Sequence, residues 1–138
     1  MKHVTFTFFV LLSSIFLAAV SCQDHEIAPQ PPTLKTIEFQ SISSPRTIIF
    51  KLELTNSDGV PIKEYGILMQ PLNLPLPVID PLYGDSGVTK ILFDNPASAG
   101  LNSKQVPNPE IPVSFYRAFA VLESGAIVYG NTISDVNQ

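Results

Sequence analysis

From Leu34 onward apolar and polar residues alternate with a period of two, and no apolar stripe of period 3.6 runs long enough to make a helix. The clearest case is residues 48–55, where Ile48, Phe50, Leu52 and Leu54 alternate with Ile49, Lys51, Glu53 and Thr55. Successive side chains of a strand point to opposite faces, so this segment predicts a half-buried strand. Residues 36–42 predict an earlier strand with Ile37 and Phe39 on one face, and 62–69, 88–93, 113–122 and 126–133 predict four more. Turn chemistry separates them. Asn56-Ser57-Asp58-Gly59 tolerates left-handed backbone and Pro61 blocks continuation, while Glu123-Ser124-Gly125 signals a hairpin. About six strands between Leu34 and Gln138, with 13 prolines in the chain from Cys22 onward suited to loops and edges, predict a single all-β domain built as a two-sheet Greek-key sandwich over 34–138.

The pattern before Leu34 is different in kind. Met1, Lys2 and His3 make a basic start, and residues 4–20 form an uncharged apolar run that ends in Ala19-Val20-Ser21. This is the architecture of a secretory signal, which must be set aside before the fold is read. An ordinary signal cut after Ser21 and an uncleaved anchor helix both remain open, since the run is borderline for crossing roughly 30 Å of hydrocarbon. Cys22 bears on the choice. It is the only cysteine, so no intramolecular disulfide can form, and a lone thiol in an exported chain calls for an explanation.

The segment resembles bacterial lipoprotein signals, which end in a small residue before a lipid-modified cysteine and carry leucine three positions before it; here Ala19 holds the leucine position. The resemblance implies a signal peptide over 1–21, lipidation at Cys22 and attachment to a membrane of the cell envelope. Residues 22–33 then read as a Pro-rich tether, extended and semi-rigid. Asp24 and Glu26 near the cysteine are similar to the surface-export signals of Bacteroidetes-type lipoproteins, and Gln23 rather than Asp after Cys22 is similar to outer-membrane sorting. Solubility alone also accounts for two acids in a linker.

Three patterns in order, Ile62-Lys63-Glu64-Tyr65-Gly66-Ile67, Phe115-Tyr116-Arg117-Ala118-Phe119-Ala120 and Ile127-Val128-Tyr129-Gly130-Asn131, resemble the fibronectin type III-like domains of Bacteroidetes-type surface lipoproteins. The resemblance implies an immunoglobulin-like sandwich. It places Tyr116, Ala118 and Ala120 inward and Phe115, Arg117, Phe119 and Val121 on the outer face. Hydrophobicity alone prefers the reverse, burying Val113, Phe115, Phe119 and Val121, and a one-residue slip exchanges the two faces. The family's corner tyrosine aligns with Ser114, which predicts a differently closed corner or a shifted register.

Charge and chemistry narrow the function. Without Lys2, seven basic residues stand against twelve acids, a net charge of about −5 with no basic run, so nucleic acid lacks its electrostatic footprint. The histidines are His3 and His25, both before Leu34. A Ser/His/Asp triad, a Cys/His pair and a nitrogen- or sulfur-ligated metal site are therefore outside the domain's means, and no cofactor is implied. Asp80, Asp85, Asp94 and Glu110 keep a carboxylate-based polysaccharide hydrolase open and the first three keep a calcium site open, although no spacing selects a pair, the usual calcium-loop spacing is absent, and solvated loop acids are the plainer reading. Residues 70–87 are long and apolar for a connection. They make Leu74, Leu76, Val78, Ile79 and Tyr83, with Phe115, Arg117 and Phe119, the candidate interaction surface, against the plainer reading of an irregular edge strand. The expectation is a non-catalytic, lipid-anchored envelope protein that binds a protein or carbohydrate partner.

Overall fold

The computed structural model describes residues 30–55, 59–71, 80–94, 96–107 and 113–135. The signal segment, Cys22, most of the tether, Leu74, Leu76, Val78, Ile79 and Glu110 lie outside the described residues. Seven strands and no helix occupy those that are described: β1 (Thr33–Ser43), β2 (Arg46–Thr55), β3 (Ile62–Pro71), β4 (Thr89–Leu92), β5 (Gly100–Pro107), β6 (Val113–Leu122) and β7 (Ile127–Ser134). All pairings are antiparallel and build two sheets, β1-β2-β5 and β4-β3-β6-β7. The chain folds as a two-sheet β-sandwich. β1 starts at Thr33, and Pro32 just before it is buried.

The core lies between the sheets, and the alternation dictates who enters it. From β2 come Ile48, Phe50, Leu52 and Leu54; from β3, Tyr65, Ile67 and Met69; from β6, Tyr116, Ala118 and Ala120. The β6 register is therefore the one with Tyr116, Ala118 and Ala120 inward. Hydrophobicity misjudges this strand because it assumes one dry face. Phe119 points outward and is nevertheless fully buried, beneath a connection that crosses the sheet.

Two expectations about strands need correction. Ile37 and Phe39 do not share a face, because a bulge between Ile37 and Gln40 sets two residues of β1 against one of β2. Inward positions run Leu34, Thr36 before the bulge and Phe39 after it, where Phe39 joins Phe50 and Tyr116 in a cluster with ring centroids 5.5–6.0 Å apart. The seventh strand, β5, has an inverted pattern. Its half-buried positions carry Asn102, Lys104 and Val106, while Leu101 stands 67% exposed, so the hydrophobic period gives no strand signal.

Two buried tyrosines close the sandwich. The Tyr116 hydroxyl accepts from the Phe39 amide at 3.2 Å, in the bulge. The Tyr65 hydroxyl lies 3.0 Å from the Asp94 carbonyl and 3.2 Å from Asn102 Oδ1, fastening β3 to the start of β5. Burial raises both phenols above the usual value of 10.0, with Asp94 adding to the rise at Tyr65, and Glu38 and Asp135 to that at Tyr116. A folded-state value above the unfolded one means stability is fully present below about pH 10 and is lost as pH rises through the raised values. Urea midpoints measured from pH 8 to 12 should fall above pH 10, and Y65F and Y116F should each flatten that fall. An alkaline limb unchanged in both variants would refute the assignment.

Candidate functional site

The sequence-derived surface residues that fall within the described chain converge on one place, the outer face of the four-stranded sheet. Across the register, Phe115 stands between Gln70 and Ser134, Arg117 between Leu68 and Thr132, and Phe119 between Gly66 and Tyr129. Lys90 and Leu92 on β4 extend the second and third rows. The period of two puts these side chains on one face, but only the pairing of four strands makes them neighbours. The side chain of Ser114 lies outside the described residues.

Residues 80–88 lie across this face. Internal bonds shape the segment: the Asp85 carboxylate accepts from the Leu82 amide at 3.2 Å, and the Val88 amide donates to the Asp85 carbonyl at 3.3 Å. Gly84 and Gly87 supply positive φ at 91° and 82°, which side-chain-bearing residues rarely adopt. Tyr83 is the fastener. Its ring packs on Phe119 at a centroid distance of 5.4 Å, its amide donates to the Tyr129 hydroxyl at 3.1 Å, and its hydroxyl donates to the Glu64 carboxylate. Asp80 accepts from the Thr132 hydroxyl and makes a second attachment.

Two cations flank this arrangement. Lys90 Nζ lies 4.4 Å over the Tyr83 ring, 3.1 Å from its hydroxyl and 3.6 Å from Glu64. The Tyr83 hydrogen bond, then the Glu64 charge, hold the Lys90 ammonium above its usual range. Arg117 places its guanidinium 4.5 Å over the Tyr129 ring and donates from Nε to the Gly130 carbonyl at 2.8 Å. Cation and ring attract through the ring quadrupole, by about 0.5–1 kcal/mol at sites this wet. The result is a band of charge and aromatic surface running Lys90, Tyr83, Phe119, Tyr129, Arg117. Within it Phe119 is covered floor rather than free surface, whereas Tyr83, Phe115 and Arg117 are half-exposed.

Glu64, Lys90, Tyr129 and Gln70 belong to the same face and were not legible in advance, because each is an ordinary polar or aromatic position until the strands are paired. Gln70 is the most unusual. It is 1% exposed, and neither atom of its amide has a hydrogen-bond partner among the described residues. An orphaned buried polar group costs about 1–3 kcal/mol. Gln70→Leu, close in volume and apolar, should therefore raise the unfolding free energy by about 1 kcal/mol in urea denaturation. A loss of stability would show that the amide is satisfied in solution.

The three described loop acids make structural contacts: Asp80 with Thr132, Asp85 with the Leu82 amide, and Asp94 with Lys104 at 2.8 Å. No cluster of three or more metal-ligating side chains occurs among the described residues. Comparison with protein-family models, with curated proteins and with solved structures finds no match for the chain.

Proposed function

We propose that the chain is an exported, lipid-anchored envelope protein whose fibronectin type III-like sandwich serves as a non-catalytic module for binding, adhesion or complex assembly. The observation that carries this reading is the apolar leader of residues 4–20 running directly into the only cysteine, Cys22, and a Pro-rich tether before the first strand. A diacylglycerol thioether at that cysteine accounts for the leader, the lone thiol and the tether together.

The fibronectin-like assignment is supported by the strand order. β4 pairs with β3 rather than joining the β1-β2-β5 sheet, which departs from the constant-type immunoglobulin arrangement, where the fourth strand lies with the first, second and fifth. The binding role is supported by the folded part's composition, which holds no histidine or cysteine, and by the aromatic and cationic band on the outer face. Bacteroidetes-type outer-membrane and cell-surface lipoproteins are the class this reading points to. The partner is a protein or a carbohydrate, both of which aromatic and Arg-bearing surfaces contact.

Cys22→Ser tests the anchor. Membrane fractions of expressing cells should lose the protein to the soluble exported fraction, because multiple acyl chains hold at roughly 0.8 kcal/mol per buried methylene and their loss leaves nothing of that size. Continued membrane association of the serine variant would sink lipidation. Glycan arrays and pull-downs from intact cells with the parent and an R117A variant test the binding role. Retention of a ligand by the parent and its loss in R117A is the expected result.

A further inference from the structure

The strand directions set which end of the sandwich the tether leaves. β1 begins at Thr33, which pairs with Thr55 at the end of β2, and Leu54 pairs with Gly100 at the start of β5. In the other sheet Ile62 pairs with Leu122, and Val121 with Ile127. Contacts between the sheets align these ends. Thr36 reaches Ala118 and Asn131, Phe39 reaches Tyr116, and Tyr65 reaches Asn102, so positions near the start of β1 face positions near the end of β6. One end of the molecule therefore carries Thr33, residues 59–61 and 96–99, and the turn at 123–125. The opposite end carries the 43–46 hairpin, Gln70, Phe115 and Ser134.

Tether length then limits orientation. The nine residues from Gln23 to Pro31 separate Cys22 from Pro32, whose burial fixes the exit point. Fully stretched as polyproline II they span about 28 Å, and as a flexible chain only about 17 Å root-mean-square. The ten-residue strand β2 is about 33 Å long. Even a stretched tether cannot run back along the whole sandwich to bring its far end to the lipid. Pro31 and Pro32, at the exit itself, fix φ at about −65° and bias the residue before each toward extended backbone, which favours continuation along the axis of β1 over a sharp reversal.

We infer that the sandwich stands end-on from the membrane, with residues 59–61 and 96–99 and the turn at 123–125 toward the lipid surface and the 43–46 hairpin, Gln70 and Phe115 on the end offered outward. This rests on the lipid anchor proposed above. It makes the Phe115 end of the outer face, rather than the Tyr83–Glu64 end, the part that meets a partner first.

The test uses the lipidated full chain in vesicles of phosphatidylethanolamine and phosphatidylglycerol. The Cys22 sulfur is tied up there in the diacylglycerol thioether, so a cysteine introduced at exposed Ser124 or exposed Ser43 is the only free thiol. Each variant, first shown to share the parent's urea midpoint, receives one donor dye, and energy transfer to a headgroup-labelled lipid is measured. The rate of transfer from S124C should exceed that from S43C at least fivefold. A tether lengthened by twenty Gly/Ser residues should bring the two rates together. Equal or reversed rates with the natural tether would overturn the end-on orientation. Protein that stays in the supernatant, with no transfer from either site, would instead overturn the anchor and the orientation with it.

Discussion

Gly66→Ala should destabilise the sandwich by about 3 kcal/mol or more, at the upper end of what overpacking a single site costs. Gly66 has ordinary extended backbone, so the reason is space. A Cβ built there lies 2.0 Å from the carbonyl oxygen of Ile91, 3.0 Å from its carbon and 3.1 Å from Leu92 Cα. All three are backbone atoms, which cannot swing aside as a side-chain tip would. Relief requires β4 to move off β3. That strand has only four residues, paired from Gly66–Leu92 to Met69–Thr89 and continued by the Phe93 amide on the Tyr65 carbonyl at 2.9 Å. Displacing it pulls Phe93 from the Tyr65 ring and Lys90 from Tyr83 and Glu64. The measurement is a urea titration followed by circular dichroism, with hydrogen exchange locating the loss at β4. A change under 1 kcal/mol would show that β3 and β4 are not held this close.

Thr36→Val comes second, at about 2–3 kcal/mol, although it conserves shape. Thr36 is 2% exposed, and its hydroxyl joins the two sheets, donating to the Asn131 carbonyl and accepting from the Ala118 amide at 2.9 Å. The need for it comes from β7. The register shifts between Arg117 and Phe119, so Gly130 and Asn131 together oppose Ala118, and the Ala118 amide turns to Thr36. Asn131 completes the junction by accepting the Thr36 amide at 2.9 Å through Oδ1. Valine would strand a buried donor and a buried acceptor, each worth about 1–3 kcal/mol when left unpaired, with part regained by relaxation. Thr36→Ser, smaller but still a hydroxyl, should retain more stability than valine. The reverse order in thermal unfolding would refute the hydrogen-bonded role. The approach here is close for another reason as well: a Cβ on Gly130 would come within 2.8 Å of Thr36 Oγ1.

Both sites show why parts of the fold were legible and others were not. Strand β2 could be read from sequence because its inward residues are apolar and evenly spaced. β6 could be read as a strand but not in its faces by hydrophobicity, because Phe119 on its outer face is as apolar and as buried as the residues inside. β5 could not, because its inward positions carry Asn102 and Lys104, whose value comes from partners on other segments, Tyr65 and Asp94. Thr36 reads as one more β-branched residue in a strand. Its role depends on a bulge 95 residues away in the chain. The candidate surface follows the same rule. Tyr83, Phe115, Arg117 and Phe119 could be singled out individually, yet the burial of Phe119 under Tyr83 needed both the sheet and the connection crossing it.

By itself, then, the sequence determined the things set by local chemistry and period: an apolar run ending just before a single cysteine, an all-β domain, and the faces of its cleanest strand, β2. Alternation is a one-dimensional property, and the covalent backbone converts it directly into sidedness. Tertiary structure alone decided which strands become neighbours, where shifts of register reverse sidedness, and which outward residues are covered. Those outcomes depend on contacts between residues far apart in the chain, for which local pattern carries no term. Which end of the sandwich the chain enters by was settled only when β1 took its direction against β2.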